Sequence, residues 1–212
     1  MAVPGKFLVL EGIDGAGKST HLAYICQWLR GRGHAVLQTR EPGGSPLAED
    51  LRALVLRAPM DGLSELMLIF AARRDHLTQT VWPALAAGQW VVCDRFTDST
   101  RAYQGAGRGL SLPLIETLAD QVEQGGQTPD FVFYFDLPAE EAARRRSHRS
   151  GGQLLNEDRF DTEDLAFFER VRKGYAQAAE RRKGQHQWID ARETIEQIQQ
   201  RLETVLLTLA PR

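Results

Sequence analysis

The feature that most constrains this chain is a glycine-rich segment near its start, Gly12-Ile13-Asp14-Gly15-Ala16-Gly17-Lys18-Ser19, which fits the pattern G-x-x-x-x-G-K-[ST]. An apolar run at 7–10 precedes it, and residues at helical spacing follow from Thr20. A strand, a glycine turn and a helix in this order direct backbone N–H groups and the positive end of the helix to one point. The segment therefore predicts a phosphate-binding loop, in which Lys18 contacts the β- and γ-phosphates and Ser19 binds Mg²⁺.

Apolar runs and amphipathic stretches alternate along the rest of the chain. The runs predict five strands, at 7–10, 35–39, 90–93, 131–135 and 187–190. The stretches predict helices at 20–30, 46–56, 64–86, 112–124, 138–148, 165–182 and 193–209. Pro83 lies near the end of the third predicted helix, and a proline at this position can bend the helix. Together with the phosphate loop, this order predicts a three-layer α/β fold of the P-loop NTPase class, a five-stranded parallel sheet with helices on both faces and ligands at the carboxyl ends of the strands.

Composition narrows the class of protein further. With 212 residues and 42% hydrophobic content, the chain predicts one domain with a well-buried core. A formal net charge of -2 predicts no general attraction to nucleic acid. Only two cysteines are present, Cys26 and Cys93, far apart and without metal-binding spacing, which indicates packing roles in a reducing compartment. Because no signal peptide or run of ~18 apolar residues is visible, we expect a cytoplasmic protein without a membrane partner.

Ionisable residues follow the predicted strands. Asp94 comes directly after a buried strand, so it is a candidate Mg²⁺ ligand, directly or through water; the alternative is a salt bridge with a helix. Arg40, Arg73 and Arg95 lie at or near strand ends or on a helix bordering the cleft. Guanidinium groups bind phosphate bidentately, so together they indicate a second anion site, although each alone is more typical of a solvated surface arginine.

Four segments in this order carry a resemblance to a known family: Thr39-Arg40-Glu41-Pro42-Gly43-Gly44, Phe70-Ala71-Ala72-Arg73, Asp94-Arg95-Phe96 and Ala102-Tyr103-Gln104-Gly105. With them the chain resembles the thymidylate kinase family from its first strand to its last helix. The resemblance implies a kinase domain spanning 1–212 that transfers the γ-phosphoryl group of ATP to dTMP, giving dTDP and ADP, with Mg²⁺ as cofactor. It also implies a homodimer packed through helices.

The same resemblance implies two groups of binding residues. For ATP these are Gly12, Ile13, Asp14, Gly15, Ala16, Gly17, Lys18, Ser19 and Thr20. For dTMP they are Asp14, Arg40, Glu41, Pro42, Phe70, Arg73, Arg95, Ser99, Thr100, Tyr103 and Gln104.

Individual roles at the dTMP site follow from the resemblance. Arg95 and Arg40 are expected at the acceptor phosphate. Asp14 is expected to face the sugar hydroxyl and the arginine that binds this phosphate. Phe70 is expected to stack on thymine while Arg73 reaches a thymine carbonyl. Thr100 (or Ser99) and Gln104 lie near the base edge, and Tyr103 occupies the place of a ribose 2′-hydroxyl. For Phe70 and Tyr103 the alternative is ordinary core packing.

A catalytic arginine is expected in a lid at 144–161. Family members carry this arginine in the phosphate loop or in the lid, and positions 13–16 of this loop contain no basic residue. The candidates are Arg149 and Arg159, which join Lys18, Arg95 and Asp14 as the predicted catalytic residues. The stretch 151–156 is longer than the family's usual spacing at this point.

These observations imply direct in-line transfer without a covalent enzyme intermediate. One alternative is a kinase of the same fold acting on a deoxynucleoside or a different nucleotide. Another is a nucleotide-binding switch that hydrolyses slowly, although the chain lacks a guanine-reading N-K-x-D run.

Overall fold

Five parallel strands form the central sheet of the protein. The computed structural model describes residues 5–149 and 159–210, without the side chains of residues 148, 149 and 161. The strands lie in the order β2-β3-β1-β4-β5. Their bounds are β1 Phe7–Glu11, β2 Val36–Arg40, β3 Trp90–Asp94, β4 Phe131–Asp136 and β5 His186–Asp190. Every residue of β1 is buried, so both faces of the sheet are covered at its centre, and the predicted α/β fold is confirmed.

Register places the carboxyl ends of the central strands together. Val9 of β1 pairs with Cys93 of β3 and with Val132 of β4. Because parallel strands end at the same edge, the loops after β1 and β3 emerge side by side. This edge carries the phosphate loop and the Asp94-Arg95 pair.

Helices surround the sheet. In the described part of the chain they are α1 Lys18–Arg30, α2 Pro46–Arg57, α3 Gly62–His76, α4 Trp82–Ala86, α5 Thr97–Thr100, α6 Leu112–Glu123, α7 Ala139–Arg149, α8 Leu165–Glu180 and α9 Ile195–Leu209. None of the helices described is both long enough and apolar enough to span a membrane.

The helix predicted at 64–86 is three elements rather than one. It begins earlier, at Gly62, because the carboxylate of Asp61 caps it by accepting the N–H groups of Leu63 and Ser64. After α3 the chain widens into π-helical turns at Leu77–Val81 before α4 begins. Pro83 has no N–H to continue the regular pattern, so the change of hydrogen bonding just before it has a direct physical cause.

A helical segment at 97–107 was not predicted from the sequence. Short α5 continues into π-helical turns at Arg101–Gly107. The segment packs closely on α8: a Cβ at Gly107 would lie 2.7 Å from the ring of Phe167, and one at Gly174 would lie 2.7 Å from the Cα of Ala102. This close packing turns one side of the segment towards the ends of β1 and β3, where it forms a wall of the candidate site.

Both cysteine thiols are fully buried. Burial raises the pKa of Cys26 to about 11 and the pKa of Cys93 well above its ordinary value. Since the thiolate is the reactive form, we expect neither thiol of the folded protein to react with a disulfide reagent at pH 8. Absorbance of the released thiolate measures this, and denatured protein, in which both should react, is the control. Rapid labelling of the folded protein would contradict the burial.

Candidate active site

The phosphate loop joins β1 to α1 and has the backbone that its glycines predict. The positive φ values in it, 141°, 93° and 82°, belong to Gly12, Gly15 and Gly17. A Cβ at Gly12 would overlap the carbonyl oxygen of Phe135, so glycine also allows the loop to contact β4. The side chains of Ile13 and Ala16 are buried in the core. At these two positions the backbone, rather than the side chain, is available to an anion.

Lys18, the first residue of α1, is buried against this loop. Its Nζ donates to the carbonyl oxygens of Gly12 at 2.8 Å and Ile13 at 3.3 Å. The same atom lies 3.8 Å from Asp94 Oδ1 and 3.9 Å from Asp14 Oδ1. Burial lowers the pKa of Lys18, and the two carboxylates oppose this shift. The ammonium group is thus held where it can exchange loop carbonyls for phosphate oxygens.

Ser19 and Asp94 line one cleft beside the loop, as the sequence predicts for a magnesium site. Asp94 Oδ1 is buried, and it has no hydrogen-bond partner among the described residues. The same part of the chain contains no group of three or more His, Cys, Asp or Glu side chains that could hold a metal. Mg²⁺ bound with nucleotide needs only one or two protein oxygens and takes its other ligands from phosphates and water. The two residues therefore fit Mg²⁺.

The turn after β3 gives Arg95 an unusual backbone. Its φ is 72°, a value that residues with side chains seldom adopt. The buried carboxylate of Glu11 holds this turn by accepting the N–H groups of Phe96 at 2.8 Å and Ser99 at 3.2 Å. Burial, together with the charge of Asp98, raises the pKa of Glu11 to about 7. Sequence analysis missed Glu11, whose only signal is a carboxylate at the end of a buried strand.

The guanidinium of Arg95 connects the phosphate loop to the neighbouring cavity. Its Nη2 donates to Asp14 Oδ1 at 2.9 Å, and its Nη1 donates to Tyr175 Oη at 2.8 Å. It also lies 4.9 Å from the centre of the Tyr103 ring. Partial desolvation raises the pKa of Asp14, but Arg95 and Lys18 outweigh it and hold that pKa well below its usual value. Asp14 and Arg95 thus form an ion pair at the border of two sites.

A cavity of about 270 Å³ opens beside this pair. It brings together most of the residues predicted to bind dTMP: Asp14, Glu41, Pro42, Arg73, Arg95, Ser99, Thr100, Tyr103 and Gln104. Its other walls were not predicted and consist of Arg52, Val55, Leu56, Ile69, Phe96, Arg146 and Phe160. The cavity therefore combines charged side chains, among them Asp14 and Arg95 beside the phosphate loop, with apolar side chains such as Val55 and Ile69.

Arg73 is the buried cation at the far end of this cavity. Its Nε donates to Glu41 Oε2 at 2.6 Å and its Nη2 to Thr100 Oγ1 at 3.0 Å. Its Nη1 is buried without a hydrogen-bond partner among the described residues. A buried unsatisfied donor costs free energy, so an acceptor brought within reach of Nη1 would bind favourably.

Phe70, predicted to stack on the base, does not line the cavity. Its ring packs with Leu66, Ile115 and Ala119, and it lies 5.0 Å from the guanidinium of Arg73. Ile69, four residues before Arg73, lines the cavity with it, whereas Phe70 is turned into a second core cluster between α3 and α6. A helical wheel centred on Arg73 could have identified Ile69.

Arg40, predicted to bind the acceptor phosphate, lies in the other cleft with Ser19 and Asp94. Its Nη2 pairs with Glu49 Oε2 at 2.9 Å, and its side chain is 55% exposed. Successive residues of a strand point in opposite directions, so Arg40 and the cavity residue Glu41 diverge. The structure does not bring Arg40 together with Arg95.

Among the arginines of α7, Arg146 reaches the phosphate loop. Its Nη1 donates to the carbonyl oxygen of Asp14 at 3.0 Å, and its guanidinium lies 4.5 Å from the Phe168 ring centre. Ala142, one turn earlier, packs so closely on the loop that a Cβ at Gly15 would lie 2.7 Å from its carbonyl oxygen. Arg146 therefore continues the helix face that meets the loop, a signal that sequence analysis missed.

Of the two arginines predicted for the lid, Arg159 contacts residues away from the phosphate loop, and the side chain of Arg149 is not described. Arg159 donates to the carbonyl oxygen of Val55 at 2.6 Å and pairs with the buried carboxylate of Glu65, so its recorded contacts lie away from the phosphate loop. Arg149 ends α7, but its side chain lies outside the described residues, as do residues 150–158 of the predicted lid.

A phosphate loop between β1 and α1 of a parallel sheet, with a buried lysine and a cavity beside it, defines a P-loop NTPase fold. The family model for thymidylate kinase matches residues 10–202. The chain belongs to the thymidylate kinase family, as the sequence resemblance predicts.

Individual relatives agree with this assignment. A thymidylate kinase from Burkholderia cenocepacia is 49% identical over 209 residues, which cover 97% of this chain and 98% of the relative. One from Thiobacillus denitrificans is 46% identical over 209 residues, or 99% and 100% of the two chains. The crystal structure of thymidylate kinase from Ehrlichia chaffeensis matches with a TM-score of 0.76 and 32% identity, covering 96% of this chain and 99% of that one.

Proposed function

We propose that the protein is a dTMP kinase, which transfers the γ-phosphoryl group of ATP to dTMP and produces ADP and dTDP. The observation that carries this proposal is the position of Arg95, which bonds Asp14 of the phosphate loop and faces the Tyr103 ring in the cavity. If an acceptor nucleotide occupied the cavity, its phosphate would contact Arg95, which lies beside the phosphate loop that binds the donor. Guanidinium remains charged at neutral pH and suits this contact.

The cavity walls favour a thymine base in a deoxyribonucleotide. Nη1 of Arg73, which has no partner in the described part of the chain, would donate to a ring carbonyl, and Ile69 would supply an apolar surface for the flat ring. Ser99, Thr100 and Gln104 offer polar groups at the base edge. Tyr103 is 6% exposed and would fill the place of a ribose 2′-hydroxyl.

The transfer proceeds in line. An oxygen of the dTMP phosphate forms a bond to the γ-phosphorus while the bond from that phosphorus to the β–γ bridging oxygen breaks, and ADP leaves. Loop N–H groups and Lys18 hold the donor phosphates, and Asp14 orients Arg95. No general base is needed, because a phosphate monoester with a second pKa of about 6 is already largely ionised.

Arg146 is the arginine that this mechanism places at the transferring group. Its bond to the Asp14 carbonyl puts it on the phosphate loop at the cavity wall. An arginine at the equatorial oxygens of the transferring group contributes about 10³-fold or more to turnover. The original candidates, Arg149 and Arg159, remain predictions for a lid at 144–161 that excludes water from the site.

Mg²⁺ completes the proposal as cofactor, held by Ser19 and Asp94. When bound, it would neutralise charge on the phosphates of ATP. Oδ1 of Asp94, which accepts no hydrogen bond from the described residues, supports this assignment. Thr20, exposed at the start of α1 beside Ser19, completes the predicted ATP-binding segment.

We also propose a single kinase domain over 1–212 that forms a homodimer in the cytoplasm, with no nucleic-acid partner. Apolar side chains about half exposed on α2 and α3 support a helix-mediated interface: Leu47, Leu54, Leu63 and Met67. Two free buried thiols suit a reducing compartment.

An acceptor panel tests the proposal. ADP release is measured with ATP and Mg²⁺ while dTMP, dUMP, TMP with a ribose sugar and thymidine are offered separately. We expect rapid turnover with dTMP, a loss of about fourfold in kcat/KM with dUMP from one missing methyl group, and poor turnover with the ribose compound.

Two outcomes of the panel would overturn the proposal. Rapid turnover of thymidine would remove Arg95 from the mechanism and favour a deoxynucleoside kinase. ADP release of equal rate with and without acceptor would favour a nucleotide-binding switch. An inactive Lys18→Ala protein assayed in parallel controls for contaminating kinases.

A further inference from the structure

The guanidinium of Arg73 is fixed by contacts on two of its three nitrogens. Glu41 Oε2 binds Nε at 2.6 Å and Thr100 Oγ1 binds Nη2 at 3.0 Å, while Nη1 has no partner among the described residues. Arg73 lines the acceptor cavity and is 2% exposed. The orientation of this guanidinium at the cavity wall therefore depends on how firmly Glu41 and Thr100 are held.

Glu41 is held in turn by a histidine that does not line the cavity. Its second oxygen, Oε1, lies 2.9 Å from Nδ1 of His76, and Nε2 of His76 lies 2.7 Å from Thr39 Oγ1. His76 is fully buried, and Glu41 is 3% exposed. Because a carboxylate only accepts, Nδ1–H donates to Glu41, and the Thr39 hydroxyl holds the opposite nitrogen of the ring.

These contacts form a continuous chain from Thr39 through His76 and Glu41 to Arg73. Burial alone would raise the pKa of Glu41, but Arg73 and His76 reverse this and hold its pKa below the usual value. Glu41 thus stays ionised while buried, as a partner for the guanidinium must. Glu41, Arg73 and His76 are buried and Thr39 is half-buried, so water has little access to the three inner members.

The backbone nearby leaves room for this chain. Gly44 has φ of 85°, and a Cβ there would overlap both Thr39 Oγ1 and the ring of His76. The loop after β2 therefore approaches the histidine more closely than a residue with a side chain would allow. The hydroxyl of Thr39, the ring of His76 and this glycine fit together as one packed unit.

We propose that His76 is a positioning residue for acceptor-base selection: through Glu41 it fixes the guanidinium of Arg73 so that Nη1 meets a carbonyl group on the base. This inference rests on the proposed function. A base with a carbonyl at that position, such as thymine, accepts from Nη1. A base with an amino group there, such as cytosine, presents a donor to a donor and is rejected.

The test compares His76→Leu with His76→Asn, using dTMP and dCMP as acceptors. Leucine removes both ring contacts, whereas the asparagine amide retains a donor near the position of Nδ1. We expect His76→Leu to raise the KM for dTMP about tenfold and to lower the kcat/KM ratio of dTMP to dCMP by a similar factor. The KM for ATP and the kcat with dTMP should change by less than about twofold to threefold, and His76→Asn should retain most of the selectivity.

A selectivity ratio that is unchanged in His76→Leu would overturn the inference, whatever happens to thermal stability, because a purely structural histidine would not move it. Equal loss in the asparagine and leucine variants would also overturn it. If His76→Leu does not fold, Thr39→Val decides: a lower ratio supports the chain of contacts and an unchanged ratio refutes it. Failure of wild-type protein to use dTMP would instead refute the proposed function.

Discussion

Replacing Lys18 with alanine is expected to lower turnover by about 10²- to 10³-fold, the typical loss when one preorganised donor to developing charge is removed. Lys18 is 5% exposed, and its Nζ already bonds the Gly12 carbonyl at the mouth of the phosphate loop. No other lysine lies in this loop, so water would have to replace the ammonium group. Initial rates of ADP release at saturating ATP, Mg²⁺ and dTMP measure the loss.

One further variant separates the charge of Lys18 from the packing of its side chain, and another controls for the loss of a lysine elsewhere. Lys18→Met keeps the aliphatic stem, so it should lose as much turnover as Lys18→Ala if the ammonium group matters. Lys173→Ala removes an exposed lysine on α8 and should behave as wild type. Near-normal turnover of a folded Lys18→Ala protein, judged by its circular dichroism and thermal unfolding, would refute the assigned phosphate loop.

The strands and the phosphate loop could be predicted because their signals are local. An apolar run such as 131–135 is long enough for one buried strand and ends at a polar residue, and β4 indeed covers Phe131–Asp136. The loop glycines are needed for positive φ, which the structure confirms at Gly12. Both signals depend on residues that are close in the sequence and not on tertiary contacts with distant parts of the chain.

The wall at 97–107 could not be predicted because its helicity depends on tertiary contact. It contains Gly105 and Gly107, which weaken a helix in isolation. Gly107 is needed for the close approach of Phe167 on α8, some sixty residues later in the chain. Local propensity therefore favours a loop, and the packing of α8 overrides it.

Side-chain direction accounts for the remaining differences. Phe70 and Ile69 are adjacent in the sequence, and the packing of Phe70 against Ile115 and Ala119 of α6 leaves Ile69 at the cavity wall. Arg40 and Glu41 diverge at the end of a strand. Arg40 and Glu41 were both predicted at the dTMP site, and the direction of the backbone decided that Glu41 reaches the cavity.

Replacing Arg95 with alanine is expected to raise the KM for dTMP by about 10- to 150-fold, which corresponds to about 1.5–3 kcal/mol for hydrogen bonds to a charged group. Arg95 lies at the cavity and bonds Asp14, so its loss removes the guanidinium expected at the acceptor phosphate. The KM for ATP should change by less than about fivefold, because the loop and Lys18 remain. Initial rates with each substrate varied at saturation of the other separate the two effects.

Arg40→Ala is the matched control for the loss of a guanidinium. Arg40 is 55% exposed and pairs with Glu49 in the other cleft, and an exposed pair contributes about 0–1 kcal/mol. Because Arg40 does not line the acceptor cavity, we expect the KM for dTMP to rise by less than about fivefold in this variant. A rise as large as that of Arg95→Ala would return Arg40 to the acceptor phosphate, as the sequence resemblance implies, through a movement of its side chain on binding. Equal changes in the dTMP and ATP constants of Arg95→Ala would instead mean that Arg95 serves the donor site, because a residue confined to the acceptor phosphate cannot weaken both equally.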